Sequence, residues 1–515
     1  MKPPARVGAW VGAVLTAGLI GVGYLGWKLF GLPFAPFDLF DFTARALPGA
    51  FVTFAIDSMV RVSQTLQLAS TGSAAKLAEQ TLAVGLMLAG GTAVAAMAFA
   101  ALALSNESAL LFGGVLGSMF GAIALIVANQ LDRIAPGDQF ISGSWLVSGF
   151  LLWGLALGWA NDRLRAPSAG ATVDARRQFL IRFSRGVAAL TVVSTIGGAI
   201  AGAFRKTVAG IRWSDANALP NASASVKALP GTRAEFTALV DHYRIDADTR
   251  PPAIDARRWQ LRIGGPVELI EQPLTFTLDD LRAFEPMHQF VTLSCISNPI
   301  GGDLISTTRW TGVSAQRLVA RARPGPRATH VKITSADGFW EVVALDAIRR
   351  DERIMLAYEW DGVPLPLDHG FPLRLYAPNL YGMKQPKWIT TIDAIDHWEA
   401  GYWVSRGWDR EGQMHATSVV DVVSVSAASA AGRAILTAGG IAHAGARGVS
   451  KVEVRVDDGE WREASLRDPL SGTTWVVWRI ESPVTNSSHV VSVRCYDGDG
   501  TLQQDEPHAR RVQRT

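Results

Sequence analysis

The stretch FVTLSCISNPIGG, residues 290–302, joins a strand-like run to a turn and carries one of the two cysteines of the chain. Cys295 closes the run 290–294, and Asn298 with Gly301-Gly302 predicts a turn whose backbone can approach a ligand closely. A thiolate suits a soft or high-valent metal, and no second cysteine or histidine stands near it in the sequence. Cys295 would then be the single protein ligand of a metal whose other ligands come from a cofactor. Packing in a core is the alternative.

Outward from this stretch, the chain divides into a strongly apolar N-terminal part and a mixed remainder. Five stretches lack charged side chains over about the length that crosses a bilayer, and we predict a transmembrane helix for each. They are residues 7–27, 82–104, 110–128, 140–160 and 187–204. Residues 46–60 are apolar but shorter and are interrupted by Pro48 and Asp57, which favours a helix at the membrane interface or a re-entrant one.

Basic residues crowd the segment before the fifth span and set the expected orientation. They are Arg163, Arg165, Arg176, Arg177, Arg182 and Arg185. Because such residues mark cytoplasmic flanks, we expect residues 206–515 on the extracytoplasmic side, and a six-span arrangement would leave them there too. Residues 174–180, with Arg176-Arg177 before Phe-Leu, resemble a twin-arginine export signal, with two positive-inside anchors as the alternative. Export of that type moves folded, cofactor-loaded domains.

The membrane part, residues 1–205, offers no redox ligands. None of the nine histidines precedes His242, and no cysteine precedes Cys295. Bis-histidine haem ligation and an iron–sulfur cluster are therefore excluded there. Charges inside its apolar stretches are too few for a proton relay, so anchoring is the default role and transport the alternative.

The remainder of the chain changes pattern twice. Residues 206–235 predict an extended linker, and residues 236–415 alternate short strands and short helices, as in an α+β domain. The predicted strands are 259–263, 290–294, 330–334, 374–376 and 388–392, and the predicted helices are 278–284 and 315–322. Residues 416–515 are β throughout, with strands 419–425, 434–442, 451–456, 474–479 and 490–495. This fits one immunoglobulin-like sandwich, in which Cys495 packs in the core.

Five motifs follow one another in the α+β domain. They are LSCISN at 293–298, RWTGV at 309–313, LAYE at 356–359, LPLDHGFPLR at 365–374 and KQPKW at 384–388. In this order they resemble the signatures of the sulfite oxidase family of molybdenum enzymes. The likeness runs from about residue 236 through the sandwich and leaves out the membrane part. It implies a sulfite-oxidase-like molybdopterin domain between the α-helical anchor and the sandwich.

The resemblance also implies a cofactor and its contacts. Molybdenum would be held by the molybdopterin dithiolene, two oxygen ligands and the Cys295 thiolate. The positions that match cofactor-binding residues are Asn298, Asp337, His369, Arg374, Lys384 and Lys387. Arginine can fork two hydrogen bonds onto a phosphate, whereas a lysine adds a point charge and a neutral histidine suits the polar edge of the pterin. Taken singly, each has an ordinary alternative, such as a solvated charge at a strand edge.

Three further residues match the substrate side of the family's site: Arg244, Tyr402 and Arg447. Asp246 stands where animal members have a histidine. The alternative for Arg447 is a charge on a surface loop. The sandwich forms the dimer contact in sulfite oxidases, so the resemblance implies a homodimer.

The reaction is less defined than the cofactor. The family moves one oxygen atom and two electrons, and anionic sulfite needs a cationic pocket. Pro299 and Ile300 stand where animal sulfite oxidases have two arginines, so the pocket has lost positive charge. Sulfite oxidation therefore stays open beside reduction of a sulfoxide, an N-oxide or nitrate. A membrane-anchored binding or scaffold protein without activity is the alternative of another class.

The electron partner must come from outside this chain. We expect no haem and no iron–sulfur cluster, because the sequence has no cytochrome b5-like module and no haem motif. An external c-type cytochrome or a quinone-linked membrane protein is the natural partner, and a nucleic-acid partner is not expected.

Overall fold

A computed structural model of the chain describes residues 3–65, 71–105, 107–131, 133–134, 138–165, 173–205, 219–426, 434–485, 488–504 and 506–513. The chain forms two compact units. The helical unit comprises Met1–Val52, Ala75–Ala209 and Asp246–Asp255. The second unit comprises Thr53–Ala74, Gly210–Ile245 and Ala256–Thr515.

Long helices dominate the described part of the N-terminal 205 residues. They are α1 (Ala5–Phe30), α2 (Ala35–Ala46), α3 (Gly49–Thr65), α4 (Thr71–Leu104), α5 (Ala109–Gln130), α6 (Gln139–Arg165) and α7 (Val173–Arg205). Helices α1, α4, α5, α6 and α7 each contain a stretch long and apolar enough to cross a membrane, and each overlaps one of the five predicted spans. The short apolar segment predicted at 46–60 corresponds to α3. Helix α2 was not predicted, because its Asp, Thr and Arg residues interrupt the apolar pattern.

Helices α5 and α6 approach each other at glycines. A Cβ atom added at Gly113 would collide with the carbonyl oxygen of Gly154, and one added at Gly117 would collide with that of Phe150. A Cβ at Gly121 would lie 3.0 Å from the Cα of Val147. These small residues, spaced four apart on α5, let the two backbones pack directly.

The α+β domain contains two sheets, of which the first is mixed and the second antiparallel. The first sheet has the order β2-β1-β10-β5-β6 and the second β3-β4-β7-β8, with β9 also paired to β7. In the first sheet these are β1 (Leu261–Gly264), β2 (Leu274–Phe276), β5 (His330–Ser335), β6 (Trp340–Ala344) and β10 (Ile389–Ile395). In the second they are β3 (Met287–Ser294), β4 (Ile305–Ser314), β7 (Met355–Trp360), β8 (Val363–Pro364) and β9 (Arg374–Tyr376). Only the β1–β10 pair is parallel among the pairings described.

Three short helices join these strands: α8 (Leu278–Arg282), α9 (Ala315–Arg321) and α10 (Leu345–Arg350). Thr277 caps α8 in a reciprocal capping box with Asp280, as its position before the helix suggests. The second sheet is the one that presents Cys295, because β3 ends at the preceding residue, Ser294.

The C-terminal part consists of two antiparallel four-stranded sheets. One contains β11 (Thr417–Val425), β12 (Ala434–His443), β16 (Val476–Val484) and β15 (Ser465–Leu466). The other contains β14 (Arg462–Glu463), β13 (Val449–Val456), β17 (Ser488–Asp497) and β18 (His508–Gln513). Residues from both sheets, including Trp478 and Cys495, share one buried core. The all-β character agrees with the sequence, and the immunoglobulin-like assignment stays a prediction.

Residues 219–235 of the predicted linker pack against the all-β part. Glu235 forms an ion pair with Arg467 at 2.8 Å, and Arg467 also donates to the carbonyl oxygen of Asn221 at 2.9 Å. The side-chain amide nitrogen of Asn221 donates to the carbonyl oxygen of Asp468 at 2.6 Å. This segment is therefore docked by specific contacts, while residues 206–218 lie outside the described residues.

The glycine contacts make the helical unit sensitive to a single methyl group. We expect Gly117→Ala to destabilise it by about 1–3 kcal/mol, because the added Cβ has no room beside Phe150. Gly90→Ala on α4 is the matched control, since a Cβ there meets no atom within 4 Å. Thermal unfolding of the two variants in the same detergent measures the difference, and equal melting temperatures would contradict the close packing.

Candidate functional site

The turn after β3 fixes the position of Cys295. Its amide donates to the carbonyl oxygen of Leu304 at 2.9 Å, and its own carbonyl oxygen accepts from the Asn298 amide at 3.1 Å. The side-chain oxygen of Asn298 accepts from the Leu304 amide at 2.9 Å. Gly302 lies so close that a Cβ there would stand 2.5 Å from that side-chain oxygen. The motif therefore folds into a closed loop in which Asn298 is a structural crosslink.

The thiol of Cys295 lies in a buried pocket lined by hydrogen-bond donors. Only 8% of the residue is exposed, and this burial raises the pKa of the thiol. Hydrogen bonds from Ser297 and from the Ile296 backbone lower the pKa, because they favour the thiolate. Both cysteines are free, and burial raises the pKa of Cys495 to about 12. The donors around Cys295 suit a thiolate ligand, whereas Cys495 packs in the core of the all-β part.

Arg374 is a buried cation at the start of β9. It is 4% exposed, and burial lowers its pKa to about 10. One terminal nitrogen donates to the carbonyl oxygen of His369 at 2.9 Å, and the guanidinium lies 4.4 Å from the ring centre of Trp310. In the described part of the chain no ion pair with a carboxylate is formed by Arg374, and its Nε has no hydrogen-bond partner. A buried guanidinium in this state calls for an anion.

Other unsatisfied polar atoms surround Arg374. Among the described residues, the indole N–H groups of Trp310 and Trp360 are buried donors without a partner. The Nε2 of His242 is also buried without a partner, but it is an acceptor, because the Nδ1 of this neutral ring donates to the carbonyl oxygen of Tyr243. The rings form one cluster: His242 lies 4.9 Å from Trp360 and 5.3 Å from His369, and Trp360 lies 4.4 Å from His369. Buried donors are normally paired, so this surplus points to an acceptor-rich group supplied from outside the chain.

Histidines in this cluster are neutral. Burial lowers the pKa of His242 to about 3 and that of His369 well below its ordinary value. Sequence reasoning missed His242 and its neighbour Tyr243, whose pKa is raised well above the ordinary value by burial and then by nearby Cys295. The two residues stand just before Arg244 in the sequence, but only the fold brings His242 close to Trp360 and His369.

Arg244, His369, Arg374 and Lys387 meet around one short loop. Arg244 forms an ion pair with Asp368 at 3.0 Å, and the ammonium group of Lys387 donates to the carbonyl oxygen of Asp368 at 3.2 Å. Gly370 ends the loop with a φ of 113°, a backbone conformation that residues other than glycine rarely adopt. The family motif in this loop thus gathers four of the predicted residues.

The other predicted residues have partners of their own. Lys384 forms a buried ion pair with Glu341 at 3.0 Å, so the structure gives no support to a cofactor contact by Lys384. Asp337 accepts from the Phe339 amide at 3.0 Å. The ring of Tyr402 is covered by the guanidinium of Arg406 at 3.7 Å.

Arg447 extends from the all-β part toward the α+β domain. Its guanidinium pairs with Asp497 at 3.0 Å and donates to the side chain of Asn379 at 2.5 Å and to the carbonyl oxygen of Met414 at 2.8 Å. These contacts place Arg447 against Asn379 and Met414, and Asp497 neutralises its charge, so the substrate-side role of Arg447 stays a prediction.

A metal at Cys295 needs ligands beyond the protein. Within the residues that the structure describes, no group of three or more His, Cys, Asp or Glu side chains is arranged to hold a metal ion. The thiol, the buried cation and the unpaired donors fit a metal carried by an anionic, acceptor-rich cofactor.

Comparison with known proteins agrees with this description. Residues 248–403 match the family described as the oxidoreductase molybdopterin binding domain. Mitochondrial sulfite oxidase of Mus musculus is 27% identical over a 288-residue alignment that covers 47% of this chain and 52% of the relative. A protein of Azospira oryzae, YedZ1, named as a proposed subunit of a protein-methionine-sulfoxide reductase, is 27% identical over 157 residues, which are 30% and 56% of the two chains.

Among solved structures, the sulfane dehydrogenase SoxCD of Paracoccus pantotrophus is similar, with 22% identity and a TM-score of 0.44 over 50% of this chain and 71% of that chain. The chain spans about half the length of the sulfite oxidases it matches. The family match over residues 248–403 and these relatives support a molybdopterin-binding oxidoreductase domain that is similar to the sulfite oxidases. The resemblance seen in the five motifs is confirmed.

We predict that Arg374 strengthens cofactor binding and lowers the stability of the cofactor-free protein. We expect Arg374→Met to lower bound molybdopterin at least tenfold, since charge-assisted hydrogen bonds contribute about 1.5–3 kcal/mol each. The melting temperature of the cofactor-free protein should stay equal or rise, because a buried cation without a carboxylate is removed. Arg353→Met is the control: its ion pair with Asp351 is partly exposed. Full cofactor content in the Arg374 variant would contradict the assignment.

Proposed function

We propose that the chain catalyses two-electron oxygen-atom transfer at a molybdenum–molybdopterin cofactor held by Cys295, His369, Arg374 and Lys387. The observation that carries the proposal is Arg374, a buried guanidinium without a carboxylate partner in the described residues, set among unpaired donors. The phosphate of the cofactor would supply the missing negative charge. The metal and its dithiolene supply the two-electron chemistry and the transferable oxygen.

The residues of the chain have separate tasks in this proposal. Cys295 is the protein ligand, and the donors at Ser297 and Ile296 favour its thiolate, although burial has the larger effect and raises the pKa of the thiol. Arg374 and Lys387 bind the phosphate end, and neutral His369 serves the polar edge of the pterin. The walls formed by Trp310 and Trp360 exclude water, which strengthens each of these electrostatic contacts.

Substrate preference follows from how the arginines near the site are paired. Arg244 is matched by Asp368, and Arg447 is matched by Asp497. Together with Pro299 and Ile300 in place of basic residues, this leaves little free positive charge for an anion. The arrangement favours a neutral oxo-substrate such as a sulfoxide, which would be reduced to a thioether and water with two electrons and two protons.

A cleft beside the Cys295 turn is lined mainly by uncharged residues, which suits a neutral substrate. Its lining includes Ser294, Asn298, Pro299, Ile300, Met414, Ile441 and His443. Burial lowers the pKa of His443 to about 4, so this histidine is neutral at pH 7. Arg233 also lines the cleft, but it pairs with Asp421 at 3.1 Å.

Oxidation of sulfite is the second candidate, because sulfite oxidases are among the relatives of the chain. It would consume water and release two electrons and two protons. In either direction the electrons pass to or from a separate protein, and we propose an external c-type cytochrome or a quinone-linked membrane protein. A homodimer through the all-β part remains part of the proposal.

The proposed location is the cell membrane, with the oxidoreductase and all-β parts outside the cytoplasm. The apolar helices support the membrane placement, and the arginines at the beginning of α7 support the orientation. Arg177 is exposed and Arg176 partly exposed on the first turns of that helix, where a twin-arginine receptor could reach them.

The ligand role of Cys295 is tested on the full chain purified from cells grown with molybdate. We expect about one molybdenum per chain, and Cys295→Ser should abolish turnover because the alkoxide is a poor substitute for a thiolate. Cys495→Ser, in the core of the all-β part, should retain activity. Wild-type protein without molybdenum or pterin would refute the proposed function.

The same preparation decides the substrate. Reduction of methionine sulfoxide by a reduced viologen dye is compared with oxidation of sulfite by an artificial acceptor. We expect the sulfoxide to have the higher kcat/KM by at least tenfold, because the arginines at the site are already paired with carboxylates. A higher kcat/KM for sulfite would assign the second candidate instead.

Export is tested by replacing Arg176 and Arg177 with lysine. Because the charge is kept, membrane orientation by basic residues should not change, whereas a twin-arginine receptor should fail to bind. Arg182→Lys with Arg185→Lys, on the same helix, is the matched control. We expect a C-terminal tag to become protected from protease in intact spheroplasts, and unchanged digestion would show that these arginines are anchors alone.

A further inference from the structure

The turn after Cys295 has a far end, residues 299–302, whose first three residues line the cleft described above. Within the turn, the Gly302 amide donates to the carbonyl oxygen of Pro299 at 2.8 Å. Gly301 has a φ of 82°, and consecutive glycines lose more conformational freedom on folding than other residues do. This end of the turn therefore needs contacts from outside the turn to adopt a single conformation.

Arg233, in the segment that precedes the α+β domain, supplies such contacts. One terminal nitrogen of its guanidinium donates to the carbonyl oxygen of Gly302 at 2.9 Å, and the other donates to that of Gly301 at 3.1 Å. The Nε and the backbone amide of Arg233 both donate to the carboxylate of Asp421 on β11, each at 3.1 Å. Each nitrogen of the guanidinium thus has an acceptor, and two of these acceptors lie in the turn.

The all-β part packs against the same end of the turn. Ile300 packs against a buried apolar cluster of that part, which comprises Val419, Ile441, Trp475 and Val477. A Cβ atom added at Gly301 would lie 3.3 Å from the Nε2 of His508 on β18. Packing therefore holds the Ile300 side chain, whereas Arg233 holds the two backbone carbonyl groups that follow it.

Arg233 is occupied by acceptors of the protein although it lines the cleft. Its charge is matched by Asp421, whose side chain is 8% exposed. A guanidinium presents its donors in a rigid plane, so contact with two consecutive carbonyl oxygens fixes the peptide planes of the turn in a way that the ammonium group of a lysine cannot. The contacts of Arg233 suit a clamp on the turn better than an anion-binding cation.

We infer that Arg233 is a positioning residue for the substrate, because it fixes the wall of the cleft that residues 299–302 form. This inference rests on the proposed function. The Cys295 end of the turn has its own crosslink through Asn298 and Leu304, so loss of Arg233 leaves the metal ligand in place. The effect therefore falls on substrate affinity more than on the reaction at the metal.

The test uses the full chain in detergent and compares Arg233→Met with Arg494→Met. Arg494 is the matched control, because it pairs with Glu453 at 2.7 Å in the all-β part and its side chain is 24% exposed, against 25% for Arg233. We expect amide hydrogen exchange of residues 300–302 to accelerate at least tenfold in the Arg233 variant alone. Exchange in β12 should stay as in the wild type.

Steady-state kinetics test the consequence for the substrate, using whichever of methionine sulfoxide and sulfite the wild type prefers. In Arg233→Met, KM should rise about fivefold or more, while kcat and molybdenum per chain stay within about twofold of the wild type. Arg233→Lys keeps the charge next to Asp421 but lacks the fork, so it should recover only part of the exchange protection and of the KM.

Unchanged KM in Arg233→Met, or unchanged exchange at residues 300–302, would overturn the inference. So would faster exchange throughout β11 and β12, because Arg233 would then stabilise the all-β part as a whole. If Arg233→Met does not fold, Asp421→Asn removes the charge that orients the guanidinium and should show the same pattern to a smaller degree. Wild-type protein that turns over neither substrate would refute the proposed function, and the exchange comparison would still decide whether Arg233 holds the turn.

Discussion

The proposed cofactor site depends on one guanidinium, that of Arg374, which is almost fully buried. A buried charge of this kind destabilises the protein unless an opposite charge accompanies it, and in the described residues its protein contacts are a carbonyl oxygen and an aromatic face. The surrounding strands tolerate this because β9 is held between β7 and a buried core of large aromatic residues. Binding of an anion would then remove the destabilisation that the buried charge of Arg374 causes.

The helical unit contains a second buried guanidinium, that of Arg133, which is paired with carboxylates of the protein itself. There the buried guanidinium of Arg133 lies against carboxylates of the chain itself, so its charge is balanced without any ligand. The two arginines thus differ in their partners, which supports a binding role for Arg374 and a structural role for Arg133, although both are almost fully buried. Burial alone does not distinguish them, whereas the presence or absence of a carboxylate partner does.

Sequence patterns predicted the long apolar helices and most strands, because hydrophobic length and alternation are local properties. The motif around Cys295 and the loop with His369 and Arg374 were also predictable, since their residue types match one chemistry in one order. Helix α2 and the ionic group at Arg133 were not, because the group joins residues more than 90 positions apart. His242 was missed for the same reason: its meaning comes from Trp360 and His369, which only the fold brings near it.

The ion pairs of the arginines with carboxylates also explain why the presence of an arginine at the proposed site is a weak guide to the substrate. Arg244 and Arg447 match substrate-side positions of the family, yet each faces a carboxylate, and the field they present is that of a dipole more than of a cation. A dipole falls off faster with distance than a charge does, so an anion gains little there, while the oxygen of a neutral sulfoxide can still accept a hydrogen bond. In the proposed site, Asp368 and Asp497 would therefore influence substrate choice as much as the arginines with which they pair.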